Sequence, residues 1–138
     1  MDRSIRLIVV EDFAPFRKLI CSMLGKEPGL QIIAEVSDGQ EAVQKTAELK
    51  PDLVLLDIRL PTLNGIEAAR QIRKLAPESK IIFVTQESSP EVVQVALNLG
   101  ARGYVLKVRA ASDLLAAVKP VLEGRQFVSS GLIAGGPG

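Results

Sequence analysis

Three carboxylates, one hydroxyl and one ammonium stand at the ends of short apolar runs in this chain of 138 residues. Glu11 and Asp12 follow Ile5–Val10. Asp57 closes Leu53–Asp57, Thr85 closes Ile81–Thr85, and Lys107 closes Gly103–Lys107. If these runs are neighbouring parallel strands, the five groups converge at one edge of the sheet. Three like charges at close range repel unless a cation sits among them. Oxygen-only ligands favour a hard cation, and an open, watered site suits Mg²⁺ better than Ca²⁺. A carboxylate, Mg²⁺, a Lys and a hydroxyl together suit phosphoryl chemistry. One carboxylate attacks phosphorus while the cations and the hydroxyl neutralise the phosphoryl oxygens.

Each residue alone has a plainer use. Asp12 could N-cap the following helix, ahead of Pro15 and Phe16. Asp57 could be a solvated strand-end carboxylate, Thr85 a turn residue before Pro90, and Lys107 a surface lysine. Their joint placement at four strand ends is what favours a site.

Composition narrows the choices. There are no histidines, which excludes a Ser-His-Asp triad, a Cys-His pair and His-ligated zinc. Seventeen basic against sixteen acidic residues leave a net charge of +1, so a non-specific grip on nucleic acid is not indicated. No apolar stretch approaches 18 residues and the start is not a signal peptide, so no membrane role is expected. The single Cys21 fits a reducing compartment, and the expected location is the cytoplasm.

The elements that must position these groups alternate. The apolar runs Ile5–Val10, Leu30–Val36, Leu53–Asp57, Ile81–Thr85 and Gly103–Lys107 read as five strands. Between them lie helical stripes such as Phe16, Leu19, Ile20, Met23 and Leu24, or Leu114, Leu115, Val118, Val121 and Leu122. Pro28-Gly29, Lys50-Pro51, Ala76-Pro77, Gly100 and Gly124 follow the helical segments as breakers. A five-fold βα repeat implies an α/β, doubly wound, flavodoxin-like parallel sheet with strand order 2-1-3-4-5. Its ligand site is expected at the carboxyl ends, near the switch between strands 1 and 3. Residues 125–138, ending Ala134-Gly135-Gly136-Pro137-Gly138, are expected to be a flexible tail or the start of a linker.

Glu11-Asp12, Leu55-Leu56-Asp57-Ile58-Arg59-Leu60-Pro61 with Gly65, Thr85, and Gly100–Lys107 together resemble the receiver domain of two-component response regulators. The likeness covers residues 4–124. Gly100–Lys107 and Gly124–Ser129 are most similar to the NarL/FixJ type, whose receivers usually precede a LuxR-type helix-turn-helix domain. Too few residues follow 124 for such a domain, so a stand-alone or shortened receiver is expected, touching DNA only through an absent output domain.

The resemblance implies roles. Asp57 would take the phosphoryl group from a sensor histidine kinase. Asp12, Asp57 and the backbone carbonyl of Arg59 would hold Mg²⁺, with Glu11 acting through a metal-bound water. Thr85 and Lys107 would bind phosphoryl oxygens, and Thr85 with Tyr104 would form the switch. Helix 4, strand 5 and helix 5, carrying Glu91, Gln94, Asn98, Arg102 and Lys119, would be the output and homodimer face. Arg59, Gln86 and Glu87 would tune the site mouth, with Arg59 and Glu87 paired. Many receivers carry a cis proline after the lysine; Val108 stands there instead, and a trans bond is expected.

Three other readings compete. A Mg²⁺-dependent phosphatase or phosphotransferase with Asp57 as nucleophile usually wants a second Asp two residues on, where Arg59 stands. A flavodoxin-like binding module wants a glycine- or hydroxyl-rich loop where Glu11-Asp12-Phe13-Ala14 stands. A degenerate receiver acting by protein contact alone would not need the full set of site residues found here.

Overall fold

The computed structural model describes residues 4–132. Strands β1 (Ile5–Val10), β2 (Leu30–Val36), β3 (Leu53–Leu56), β4 (Lys80–Thr85), β5 (Gly103–Leu106) and β6 (Phe127–Val128) form one parallel sheet. Helices α1 (Ala14–Gly25), α2 (Gly39–Leu49), α3 (Gly65–Leu75), α4 (Pro90–Asn98) and α5 (Ala110–Leu122) connect them, with a single 3₁₀ turn at Lys107–Arg109 before α5. The order is β2-β1-β3-β4-β5-β6. The expected flavodoxin-like order is therefore present, but the sheet has six strands, not five.

The sixth strand lies in the segment expected to be a flexible tail. Two residues are too few for a periodicity to register in sequence. Tertiary partners place them: the Phe127 N–H donates to the Arg102 carbonyl at 2.9 Å, and the Ser129 N–H to the Tyr104 carbonyl at 2.9 Å. The glycine-rich end, residues 133–138, lies outside the described residues.

Alternation along each central strand divides the apolar side chains between two cores. Leu7, Val9, Leu53, Leu55, Ile82, Val84 and Val105 face α1 and α5. Ile8, Val10, Val54, Leu56, Ile81, Phe83 and Tyr104 face α2, α3 and α4. Burial on both faces is why these strands read as continuous apolar runs. The helical stripes are less uniform: Leu19 and Leu75 are exposed.

The loops at the carboxyl edge are set by caps and close approaches. Asp38, Asn64 and Ser89 cap α2, α3 and α4 through their side chains. Helix α1 differs: Phe13 is its N-cap residue and makes no side-chain cap hydrogen bond. Asp12 is thus not spent on capping. Gly65 starts α3 against the backbone of Asp57, where an added Cβ would lie 2.0 Å from the Asp57 carbonyl oxygen. Only glycine lets the α3 start pack this tightly under the β3 end.

Gly65→Ala should therefore destabilise the fold by about 1–3 kcal/mol or more, because backbone rather than a movable side chain must yield. Urea unfolding checks this; an unchanged midpoint would show that the approach relaxes freely.

Candidate functional site

Parallel pairing brings the acidic residues together. Val10 is in register with Leu56, so the residues that follow, Glu11 and Asp57, leave the sheet side by side. The Glu11 N–H donates to the Val36 carbonyl at 2.9 Å, and the Asp57 N–H to the Val10 carbonyl at 3.2 Å. One carboxylate oxygen from each of Glu11, Asp12 and Asp57 lies within 4.8 Å of the others. Glu11 and Asp57 are 1% and 4% exposed, whereas Asp12 is open to solvent.

A lysine just past β5, where the strand ends one residue before the expected Lys107, answers this charge. Lys107 Nζ lies 2.8 Å from Glu11 Oε1 and 2.9 Å from Asp57 Oδ2. It also sits 4.8 Å from the centre of the Phe16 ring, a cation–π contact. Its side chain is only 13% exposed, so it is no surface lysine. The expected trans geometry is present, since no described peptide bond is cis, and the lysine reaches both carboxylates with Val108 after it. Two backbone donors and one guanidinium complete the setting. The Ile58 N–H donates to Asp57 Oδ1 at 2.7 Å, the Phe13 N–H to Glu11 Oε2 at 2.9 Å, and Arg17 Nη1 to the Glu11 carbonyl at 2.7 Å.

Thr85 ends β4 with 1% exposure, and its Oγ1 accepts from the Glu87 N–H at 3.3 Å. It thus serves the β4–α4 turn while lining the site. Asp12, Phe13, Asp57, Arg59, Thr85, Gln86 and Lys107 together line one cavity of about 310 Å³. Arg59 Nε and Nη2 donate to Glu87 Oε2 at 2.8 and 2.5 Å across its mouth. Gln86 lines the cavity from an exposed position rather than filling it. Tyr104 lies below, fully buried, its ring 6.1 Å from that of Phe83 and its hydroxyl donating to the Glu87 carbonyl at 2.8 Å.

Phe13, Phe16 and Arg17 also belong to the site and carried no chemical signal in sequence. Phe16 reads as one of a core stripe, and only the fold brings β5's lysine over it.

The donor set fits Mg²⁺. All three side chains offer oxygen, and exposed Asp12 leaves room for water ligands. Glu11 Oε1 is buried, and the close partner it has is the Lys107 ammonium at 2.8 Å.

Burial raises the Glu11 carboxyl above its ordinary value of 4.5, aided by the Asp57 charge and opposed by Lys107 and the Phe13 N–H. Burial pulls the Lys107 ammonium down, but Glu11 and Asp57 outweigh it and leave it above 10.5. The signs differ in consequence. A raised carboxyl binds its proton more tightly in the folded state, so ionised Glu11 costs stability that returns as pH falls through its folded value towards 4.5. Lys107 stabilises fully below 10.5 and ceases to do so as pH rises through its folded value. Lys107→Met should thus cost about 3–5 kcal/mol at pH 7, by leaving buried carboxylates unpaired. The deficit should shrink as acidification protonates Glu11. Denaturant midpoints at pH 7 and pH 5 measure both; a constant deficit would show that Lys107 does not hold the carboxylates.

Known proteins resemble this chain in sequence and fold. The family model for the response regulator receiver domain matches residues 7–119. The transcriptional regulatory protein DegU of Brevibacillus brevis is 32% identical over 92% of this chain and 54% of its own length. The response regulator GacA of Pseudomonas viridiflava is 34% identical over 91% of this chain and 58% of its own. The chain thus spans just over half the length of these curated relatives. A LuxR-family two-component response regulator from Aurantimonas sp. SI85-9A1 superposes with a TM-score of 0.87 and 31% identity, covering 92% of this chain and 91% of that one. Response regulators are signalling proteins, and among the described residues no helix is long and apolar enough to cross a membrane. With a matched sequence, a matched fold and an acidic cluster at the switch between β1 and β3, this chain belongs to the response regulator receiver domain family.

Proposed function

We propose that Asp57 is the phosphoacceptor of a cytoplasmic two-component switch that takes its phosphoryl group from a sensor histidine kinase. The observation that carries this reading is the placing of Asp57, Thr85 and Lys107 around one cavity, with Glu11 and Asp12 beside them. Glu11, Asp12, Asp57 and the Arg59 carbonyl would hold Mg²⁺, which when bound supplies positive charge to the phosphoryl oxygens. An Asp57 oxygen forms the bond to phosphorus as the bond to the donor nitrogen breaks, and the imidazole leaves with its electron pair. The Ile58 N–H orients the carboxylate. Lys107 and Thr85 take up phosphoryl oxygens. The chain catalyses its own phosphorylation and dephosphorylation but turns over no separate substrate. A phosphatase reading is not favoured: Arg59 occupies the place of a second acid and is tied to Glu87.

The rim supports a protein donor. Phe13 and Val108 are 60% and 89% exposed, and with Phe16 they border a second, mostly apolar hollow beside the site. Such a surface suits docking of a kinase domain.

Glu87 supports the switch reading. Its N–H meets Thr85, its carbonyl meets Tyr104, and its carboxylate meets Arg59. A phosphoryl group adds roughly −1.5 to −2 charge. Movement of Thr85 towards that charge would reach Tyr104 through this one residue. The output and homodimer face carries exposed Glu91, Gln94, Asn98 and Arg102 on α4 and the β5 approach, whereas Lys119, expected there, lines a hollow with Ile5, Glu27 and Gly29 on the other side of α5. Because β6 covers the β5 edge, that face includes β6 and not the bare edge of β5. Control of DNA would pass through an output domain.

Acetyl phosphate with Mg²⁺ should add one phosphoryl mass to the wild type and none to Asp57→Asn; equal labelling of the variant would end this assignment. The Arg59–Glu87 pair adds only about 0–1 kcal/mol to stability. Its effect is kinetic, by covering the approach of water to phosphorus. Arg59→Ala with Glu87→Ala should shorten the half-life of the phosphorylated state, while Tyr104 keeps its bond to the residue 87 backbone. An unchanged half-life removes the idea.

A further inference from the structure

A buried polar clasp lies on the far side of Lys107 from the acidic cluster. The Leu106 N–H donates to Ser129 Oγ at 3.1 Å, and that hydroxyl donates to Asp113 Oδ2 at 2.7 Å. The same Oδ2 accepts from Arg109 Nε at 3.0 Å, and Asp113 Oδ1 accepts from Ser112 Oγ at 2.9 Å. Ser129 and Asp113 are 1% and 7% exposed. Three separate pieces of chain meet here: the end of β5, the first turn of α5 and the residue after β6.

The connection to the site is short. Lys107, Val108 and Arg109 form a single 3₁₀ turn. Lys107 at its start reaches Glu11 and Asp57, and Arg109 at its end grips Asp113. The residue just before the turn, Leu106, is held by Ser129. The turn that aims the lysine is therefore pinned on both sides by the clasp. Ser129 in turn hangs on the strand that carries Tyr104, through its own N–H.

We propose that Ser129 and Asp113 are positioning residues for Lys107, and that the segment 125–132 is thereby coupled to the state of the phosphoacceptor site. The inference rests on the phosphoryl-binding role given to Lys107 above. A phosphoryl group at Asp57 gives the lysine a new partner. The small shift of its turn is felt at Leu106 and Arg109, where it tightens or loosens the hold on Ser129. In this coupling, residues 125–132 would be either zipped onto β5, as seen here, or released, and both the site and the clasp would bias that choice. Coupling is reciprocal, so the clasp must also change how tightly the site holds a phosphoryl group.

Beryllium trifluoride with saturating Mg²⁺ is the probe. In the wild type, the amides of residues 106 and 127–132 should change their hydrogen-exchange rates several-fold when it binds. Ser129→Ala should bind it about fivefold more weakly or worse. Ser129→Thr, which keeps the hydroxyl, should restore most of the affinity. A merely structural clasp would lower the thermal midpoint of Ser129→Ala and leave its affinity for the probe unchanged; that result overturns the proposal. So does binding to the wild type with no change in exchange at 127–132, a measurement that stands even if Ser129→Ala does not fold. Failure of the wild type to bind the probe at all would instead overturn the phosphoryl-site reading, and this inference with it.

Discussion

Negative charge crowded at the carboxyl ends of β1 and β3 is the constraint on which the rest of the structure turns. Glu11 and Asp57 are nearly buried, and a buried charge without a partner is costly. One ammonium, Lys107, lies within 3 Å of both and makes their burial tolerable. It arrives from β5, beyond β3 and β4 in the sheet, so the charge balance can be met only when β1, β3 and β5 are all in register. The same arrangement keeps the carboxylates poised. On the function proposed above, a divalent ion and a phosphoryl group would take over part of the partnership that Lys107 holds with Glu11 and Asp57.

The scaffold serves this balance closely. Two apolar cores grip the strands from both sides, so their ends are fixed points from which short loops start. Gly65 brings α3 hard against the Asp57 backbone. Leaving α1 without a side-chain cap keeps Asp12 at the acidic cluster. Glu87 gathers the mouth, the Thr85 hydroxyl and Tyr104 onto one loop residue. None of these contacts is large, but they share atoms and residues, which is what allows a change at one to be felt at another.

Much of the site was legible because strand ends can be read. A run of Val, Ile and Leu broken by Glu11-Asp12, or closed by Asp57, Thr85 or Lys107, marks both the strand and the group it delivers. The parallel α/β pattern then places all carboxyl ends on one edge. The plainer uses of single residues were separable only in three dimensions. Thr85 does serve a turn, whereas Lys107 is not a surface lysine. Strand β6 was missed because two residues leave no periodic signal. The glycine-rich continuation of the segment carries the composition of a tail, and the pairing of Phe127–Val128 with β5 is a tertiary contact.

By itself the sequence determined the alternating fold, the acidic cluster and its lysine, and the family. These depend on local patterns: apolar runs, breakers, and charged residues at fixed offsets from them. Only the tertiary structure decided that Phe16 lies beside Lys107 and that Ser129 pins Leu106 to Asp113. Each of these joins residues far apart in the chain, and their distances are set by how the strands pair and the helices pack. No local spacing encodes that, because a side chain's partner across a packed interface depends on the whole fold around it.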